Sequence, residues 1–413
     1  MIISLGIEST AHTYSIGIVD QNGRIYSNER IIFKPEKGGI HPTEAAELHS
    51  KEIINIFKKS VWNAGFIIKK IEDKYIIVDA LNEIKRKIED TKIINNSSFD
   101  YVSERFHEEP WNRYRYLLLN NNIYIKISDN RIESNDKDIE LFLNNYINNL
   151  NEFDRSINLI SYSAGPGLYP TLLQGYFSAN LFSKRFGIDK IGVNHLIAHM
   201  EIVKLYNNFN DPLILLVSGA NTMLISFSGD RYRIIGETLD IGIGNFLDKV
   251  GRLINIGFPA GPRIEEYAKK GSNLIDLPYI VKGMDVQFGG LYTYIKNNIK
   301  KYKIEDLSYS IQEYVFSMLA EISERGLSLL NKREFGLAGG VAVNRRLQEI
   351  LKNMCIERNI NFGSVPLDFG NDNGAMIAWT GILWHKRGIK DVDSINPYWR
   401  PESIEYKDLN ILD

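Results

Sequence analysis

The chain has 413 residues, 44% apolar and 24% charged, which excludes wholesale disorder and leaves room for two domains. Forty-nine lysines and arginines against 51 aspartates and glutamates give a net charge of −2, excluding nucleic-acid binding by bulk charge alone. One cysteine, Cys355, excludes an internal disulfide and thiolate-type structural zinc; no apolar run reaches the roughly 20 residues of a membrane helix, so the expected compartment is cytoplasmic, with no membrane partner.

Met1–Leu5 and Tyr14–Val19 are apolar runs around the polar turn Glu8-Ser9-Thr10-Ala11-His12, and Gln21-Asn22-Gly23 turns into a third strand, Arg24–Tyr26. Helical sequence follows, including Thr43–Lys58. No glycine falls between Gly65 and Gly165, although the chain has 32, and the stretch from Asn82 to Asn151 holds fourteen asparagines. Residues 67–153 therefore read as an insertion with its own small α+β fold. Within it Asp79–Asp90 has helical spacing, and Tyr114–Ile127 reads as two short strands around an Asn-rich turn. Asp138–Phe153 puts Leu143, Tyr146, Ile147 and Leu150 on one helical face. The aromatics Trp111, Tyr114, Tyr116 and Tyr124 predict that part of this segment packs.

Val193–Val203 contains no breaker and reads as a helix carrying His195 and His199, four residues apart and so on one face. Two imidazoles so placed can reach one ion, but they make an incomplete metal site and are often a coincidence of packing. Leu196 stands where a zincin needs glutamate, which disfavours metalloprotease chemistry. Leu213–Val217 and Thr222–Ser226 then repeat the strand, polar turn, strand device around Ser218-Gly219-Ala220-Asn221, and Gly229-Asp230 leads to Tyr232–Ile235. The second copy lies about 210 residues after the first. Such a duplication is the pattern of two-lobed folds with a nucleotide cleft, as in actin, hexokinase and the heat-shock proteins.

Gly236–Asp248 brings Asp240 and Asp248 near Glu237 and Glu265 in sequence; these acids hold either ribose hydroxyls or magnesium, or cap a solvated helix face. The small-residue turns Gly165-Pro166-Gly167, Ser218–Asn221, Gly257–Pro262 and Gly339–Asn344 let backbone amides approach phosphates or a purine. None matches a P-loop or the dinucleotide fingerprint. Finally Asp372-Asn373-Gly374 opens the helical run Ala375–Leu383, where the aspartate reads first as an N-cap and second as a metal carboxylate.

Taken in order, Gly6–Thr13, Lys37–Glu47, Gly165–Leu168, Val193–His199, Val217–Thr222, Gly236–Asp248, Gly339–Asn344 and Asp372–Met376 closely resemble the motifs of the universal tRNA threonylcarbamoyladenosine transferases, in their archaeal and eukaryotic form. That form is the catalytic subunit of the KEOPS complex and a relative of bacterial TsaD; the family was once labelled O-sialoglycoprotein endopeptidase. The resemblance implies an α/β, two-lobed actin/hexokinase/heat-shock-protein-like (ASKHA) fold. Its division here would be lobe I over 1–66 and 154–205, the insertion at 67–153, lobe II over 206–370, a closing helix at 371–390 and a tail at 391–413. It implies that His195, His199 and Asp372 bind iron or zinc and are the catalytic set. It also implies that Leu216, Val217, Ser218, Gly219, Ala220, Asp248, Gly261, Glu265 and Asn344 contact an adenine nucleotide, as threonylcarbamoyl-AMP, ATP or AMP, with magnesium a further candidate ion.

The implied reaction moves threonylcarbamoyl from threonylcarbamoyl-AMP, supplied by a separate synthase, to the exocyclic amine of the adenosine after the anticodon in ANN-decoding tRNAs. Implied partners are tRNA and KEOPS-like subunits, a separately encoded kinase and a small dimerising subunit, docking on the lobe I helices. Several positions depart from the family pattern. Leu216 replaces a usual tyrosine whose hydroxyl can join the metal, and Ala220 replaces the second glycine of the phosphate turn. Leu48, Leu173 and Gly289 replace a usual histidine, arginine and serine. The alternatives are a divergent carbamoyltransferase with another acceptor and a non-catalytic KEOPS scaffold.

Overall fold

The computed structural model describes residues 1–35, 41–91, 99–102, 116–119, 123–389 and 393–406. The chain divides into two units, Met1–Ala198 with Asp372–Arg400 and His199–Asn371 with Pro401–Asp413.

The first unit opens with β1 (Ile3–Glu8), β2 (Thr13–Asp20) and β3 (Ile25–Ile32), an antiparallel meander. The third strand runs well past Tyr26, where the sequence pattern ended it, because its polar residues find buried partners. Ser27 Oγ meets Ser60 Oγ at 2.7 Å, and Glu29, 2% exposed, accepts from Asn63 Nδ2 at 2.8 Å and faces Lys59 Nζ at 3.2 Å. Those partners lie on α1 (Pro42–Asn63), whose Pro42 takes the first helical position, where no backbone donor is needed.

Residues 67–153 form β4 (Ile67–Ile71), β5 (Lys74–Val78), α2 (Ala80–Thr91), β6 (Phe99–Val102), β7 (Tyr116–Leu119), β8 (Ile123–Ser128), β9 (Arg131–Ser134) and α3 (Lys137–Asn149). β6 to β9 make an antiparallel sheet in sequential order. Leu81, Ile84, Leu117, Ile125, Ile132, Leu143 and Ile147 share one buried cluster. Trp111, Tyr114 and the side chain of Tyr116 lie outside the described residues, and Tyr124 is 42% exposed; the buried residues of the described cluster are aliphatic, with Trp62, Tyr146 and Phe153 packed against them. Helix α3 is shorter than the pattern Asp138–Phe153: Asp136 caps its start, and Lys69 Nζ takes the carbonyls of Ile147, Asn148 and Leu150 at its end. The segment is tied to the sheet where Ile157 N–H donates to Ile77 O, and where Arg155 lies between Asp20 and Asp79 at 3.7 and 3.6 Å.

β10 (Leu159–Gly165), α4 (Tyr169–Phe186) and β11 (Asp189–Asn194) complete the first sheet, and α5 (His195–Asn207) carries the chain across the division. The second unit contains β12 (Leu213–Val217), β13 (Thr222–Ser228), β14 (Arg231–Glu237), α6 (Ile243–Leu253), α7 (Gly261–Ala268), the short pair β15 (Val281–Lys282) and β16 (Asp285–Val286), α8 (Gly289–Asn298), α9 (Ile304–Leu330), β17 (Glu334–Ala338), α10 (Arg345–Glu357), β18 (Asn361–Ser364) and α11 (Leu367–Gly370). α12 (Gly374–Lys386) then packs on β1 and β2 of the first unit.

Among the described residues the two large sheets have the same construction. One runs β11-β10-β1-β2-β3, the other β18-β17-β12-β13-β14, each with an antiparallel meander joined to two parallel strands. This duplication is the actin/hexokinase/heat-shock-protein arrangement expected from the sequence. No helix among the described residues is long and apolar enough to cross a membrane.

Candidate metal centre

Strand β11 ends where the Asn194 side chain accepts hydrogen bonds from Leu196 N and Ile197 N at 3.0 and 3.2 Å. That cap starts the helix at His195, so Val193 and Asn194, read from sequence as helical, belong to the strand. His195 and His199 follow one turn apart on α5, 6% and 1% exposed. Asn194 Nδ2 also donates to Trp399 O at 3.0 Å, fixing the strand end.

Asp372 is not the cap of the last helix. Asn373 accepts from Met376 N at 3.0 Å and does that work, which leaves the Asp372 carboxylate to face His195, with Oδ1 at 3.5 Å from Nε2. The backbone at Asp372 and just after it is held in place: Arg30 Nη1 donates to Asp372 O at 3.3 Å, and Gly374 N donates to Ser15 Oγ at 2.9 Å. Three glycines allow the close crossing behind this. A Cβ on Gly6 would lie 2.2 Å from Ala378 N, one on Gly17 2.3 Å from Ala375 N, and one on Gly374 2.2 Å from Gly17 N.

Donor atoms of His195, His199 and Asp372 lie within 4.8 Å of one another. The orientation of His195 suits an ion. Glu8, fully buried, holds Nδ1 of that imidazole at 2.9 Å with Oε2, while its Oε1 accepts from Thr10 N and Thr10 Oγ1 at 2.6 and 2.5 Å. With Nδ1 engaged, Nε2 is presented toward Asp372, the carboxylate–imidazole relay that orients metal-binding histidines. Burial opposes charge on His195, but Glu8 and Asp372 outweigh it and push its pKa up to about 9. His12 Nδ1 stands 4.0 Å from Asp372 Oδ2. Two imidazole nitrogens and a carboxylate oxygen form a donor set that fits zinc or iron. Sequence reasoning passed over Glu8 as a site residue, since an acid ending an apolar strand has no spacing relation to a histidine 187 positions later.

The residues implied in nucleotide contact all lie in the second unit. Leu216 and Val217 end β12, with Leu216 in register with Ala338 of β17, so the turn after each strand opens at the same edge. Ser218 and Gly219 receive the start of α6: Gly244 N donates to Ser218 O at 3.0 Å and Asn245 N to Gly219 O at 2.9 Å. Ala220 is exposed and outside the left-handed region, so its methyl group is accommodated. Asp248 Oδ1 accepts from Ala260 N at 2.8 Å, beside Gly261, and burial pushes its carboxyl above the usual range. Glu265 Oε1 accepts from Arg345 N at 3.2 Å, next to Asn344, which caps α10 and donates to Gln312 Oε1 at 2.9 Å.

Asp240, a second carboxylate considered for ribose or magnesium, has a structural task. It accepts from Phe288 N and Gly289 N at 3.0 and 2.6 Å, and the amides lower its pKa against the opposing effect of burial. A Cβ at Gly289 would sit 2.6 Å from Asp240 Oδ2, so a larger residue there would displace the end of that side chain.

The family model described as tRNA N6-adenosine threonylcarbamoyltransferase (TsaD) matches residues 138–379, which include all three residues of the cluster. The tRNA N6-adenosine threonylcarbamoyltransferase of Nanoarchaeum equitans is 36% identical over 396 residues, 96% of this chain and 98% of its own. That of Thermococcus sibiricus is 37% identical over 391 residues, 94% of each chain. A Methanocaldococcus jannaschii protein named "probable bifunctional tRNA threonylcarbamoyladenosine biosynthesis protein" is 37% identical over 411 residues, 98% of this chain but 60% of its own length. A family model spanning more than half of the chain, and relatives this similar over nearly all of it, establish that the chain belongs to the tRNA N6-adenosine threonylcarbamoyltransferase family of enzymes.

Proposed function

We propose that this protein transfers the threonylcarbamoyl group from threonylcarbamoyl-AMP to the N6 amine of adenosine in tRNA, at the position following the anticodon of ANN-decoding species. The observation that carries the reading is the close grouping of His195, His199 and Asp372 within a chain of this family. These three would hold one iron or zinc ion, which supplies Lewis-acid polarisation of the carbamoyl group. The chain's own residues do the rest by positioning. Glu8 holds the His195 ring in place through Nδ1, Arg30 holds the Asp372 carbonyl, and Asn373 and Ser15 fix the turn that follows it. In the second unit Asp248 and Glu265 would accept from the ribose diol, Asn344 would lie at the base end, and the phosphate would lie against the Ser218-Gly219-Ala220 turn. Attack by a weakly nucleophilic aryl amine, with AMP leaving, depends on such fixed placement.

The same reading includes partner subunits of KEOPS type. Helix α4 supports it: Tyr169, Leu173, Phe177 and Leu181 recur every four residues, and Tyr169, Phe177 and Leu181 are 56%, 54% and 51% exposed. An apolar stripe of that kind marks an interaction surface. A chain with net charge −2 would leave most of the tRNA affinity to those subunits. The test is reconstitution with partners, threonylcarbamoyl-AMP and a tRNA transcript, assayed for modified adenosine. Product from wild type and none from the His195→Ala/His199→Ala double variant is expected; equal product from both would overturn the reading.

A further inference from the structure

Helix α5 carries a third buried polar residue that the proposed chemistry does not use. Glu201 lies two positions after His199 and is 3% exposed. Its Oε1 accepts from Tyr232 Oη at 2.6 Å, and Lys204 Nζ stands 3.5 Å from Oε2. A carboxylate this deep needs a donor, and a bond this short to a charged acceptor is among the stronger kinds. Tyr232 belongs to β14, the edge strand of the second sheet, and is also 3% exposed.

What buries the Tyr232 ring is partly the C-terminal segment. Tyr232 meets Phe227 edge-on at 5.3 Å between centroids and Tyr406 at 6.0 Å, and Phe227 meets Tyr406 at 5.6 Å. Three mutually perpendicular rings are a favourable aromatic arrangement. The segment from Pro401 to Tyr406 is fastened along β14 by its backbone and charges. Tyr406 N donates to Asp230 O at 2.7 Å, Ile234 N to Glu402 Oε1 at 3.3 Å, and Arg231 donates to Glu402 O at 3.2 Å and Glu405 Oε1 at 2.8 Å.

We propose that Tyr232 is a positioning residue for the metal centre, and that residues 401–406 act through it: the docked segment holds the Tyr232 ring, whose hydroxyl fixes Glu201 and with it the rotation of the helix that carries His199. The inference rests on the metal reading of His195, His199 and Asp372. It assigns a role to the tail that lies outside the reaction itself.

The test uses the full chain and zinc alone as the probe, titrated in competition with a chromogenic chelator. Tyr232→Phe keeps the ring and removes the hydroxyl; Tyr406→Ala removes the tail's ring. Each is expected to weaken zinc by about tenfold, the lower end of what outer-shell partners contribute. The double variant should be no weaker than Tyr232→Phe, because the tail acts through that hydroxyl. Hydrogen exchange of the metal-free protein over residues 195–207 gives a second readout, faster in both variants. If the variants melt at lower temperature while zinc affinity and α5 exchange match wild type, the role is merely structural and the proposal fails. Faster α5 exchange in both variants, with wild type and His199→Ala binding zinc equally, would show instead that the metal reading is wrong while the coupling of tail to helix stands.

Discussion

The Gly6→Ala substitution tests whether the crossing of α12 over β1 sets the metal geometry. The added methyl would fall 2.2 Å from both Ala378 N and Gly374 O and 2.7 Å from Ala378 Cα, all backbone atoms. Ordinary contact begins near 3.4 Å, so the helix and strand must part by about 1.2 Å, and no side chain can swing aside to relieve it. Overpacking of this kind costs about 1–3 kcal/mol. In a unit of this size that lowers the melting temperature by roughly 2–4 °C per kcal/mol. The larger effect falls on the site. Asp372 sits two residues before the displaced Gly374, and metal–ligand distances tolerate only about 0.2 Å. Metal content by elemental analysis should therefore drop far below that of wild type, in protein that still melts cooperatively. Full metal occupancy with an unchanged melting temperature would refute the claim that this crossing places the carboxylate.

Glu8→Gln should lower metal affinity by about 10–100-fold, because the amide can no longer hold the His195 Nδ1–H as a carboxylate does; chelator competition measures it. His49 is fully buried and its pKa is pushed down to about 4 by burial, against an ordinary value of 6.5. The unfolded chain therefore takes up a proton that the folded protein refuses, and stability should fall by about 3 kcal/mol as pH drops from 6.5 to 4. Denaturant melts across that window should show a steeper loss of stability in wild type than in His49→Leu. Asp248→Ala should weaken AMP or ATP by about 10–100-fold in calorimetry, the loss of one charge-assisted hydrogen bond; unchanged binding would remove Asp248 from the nucleotide assignment.

The duplicated meander was legible because strand periodicity is local. Met1–Leu5 and Leu213–Val217 declare themselves as apolar runs, and their turns as polar ones. The full length of β3 was not, since Ser27 to Arg30 carry no apolar alternation and extend the strand only where α1 supplies Ser60, Lys59 and Asn63 as partners. Helix starts failed for a related reason. Asn194 and Asn373 are the caps, the first inside the run Val193–Val203 that reads as helix and the second one position after the acidic neighbour Asp372, and cap identity is decided by which side chain turns back onto the helix.

The site divides in the same way. His195 and His199 are related by a helical turn, so their proximity is written in the spacing. Asp372 and Glu8 join them only through the fold, from 177 and 187 residues away. What sequence does carry is the permission for that meeting. Gly6 and Gly17 lack the Cβ atoms that would hold α12 off the sheet, and Gly374 lacks the one that would strike β2. A glycine two residues after Asp372 and another two residues before Glu8 look like unrelated small residues in a linear reading. In the fold they touch the same crossing, and that crossing brings Asp372, with Asn373 as the cap of the helix, against an imidazole already oriented by another acid. The metal reading therefore gains its force from a constraint on backbone approach, not from the histidine pair alone, and substitutions at these glycines should damage the site as surely as substitutions of its ligands.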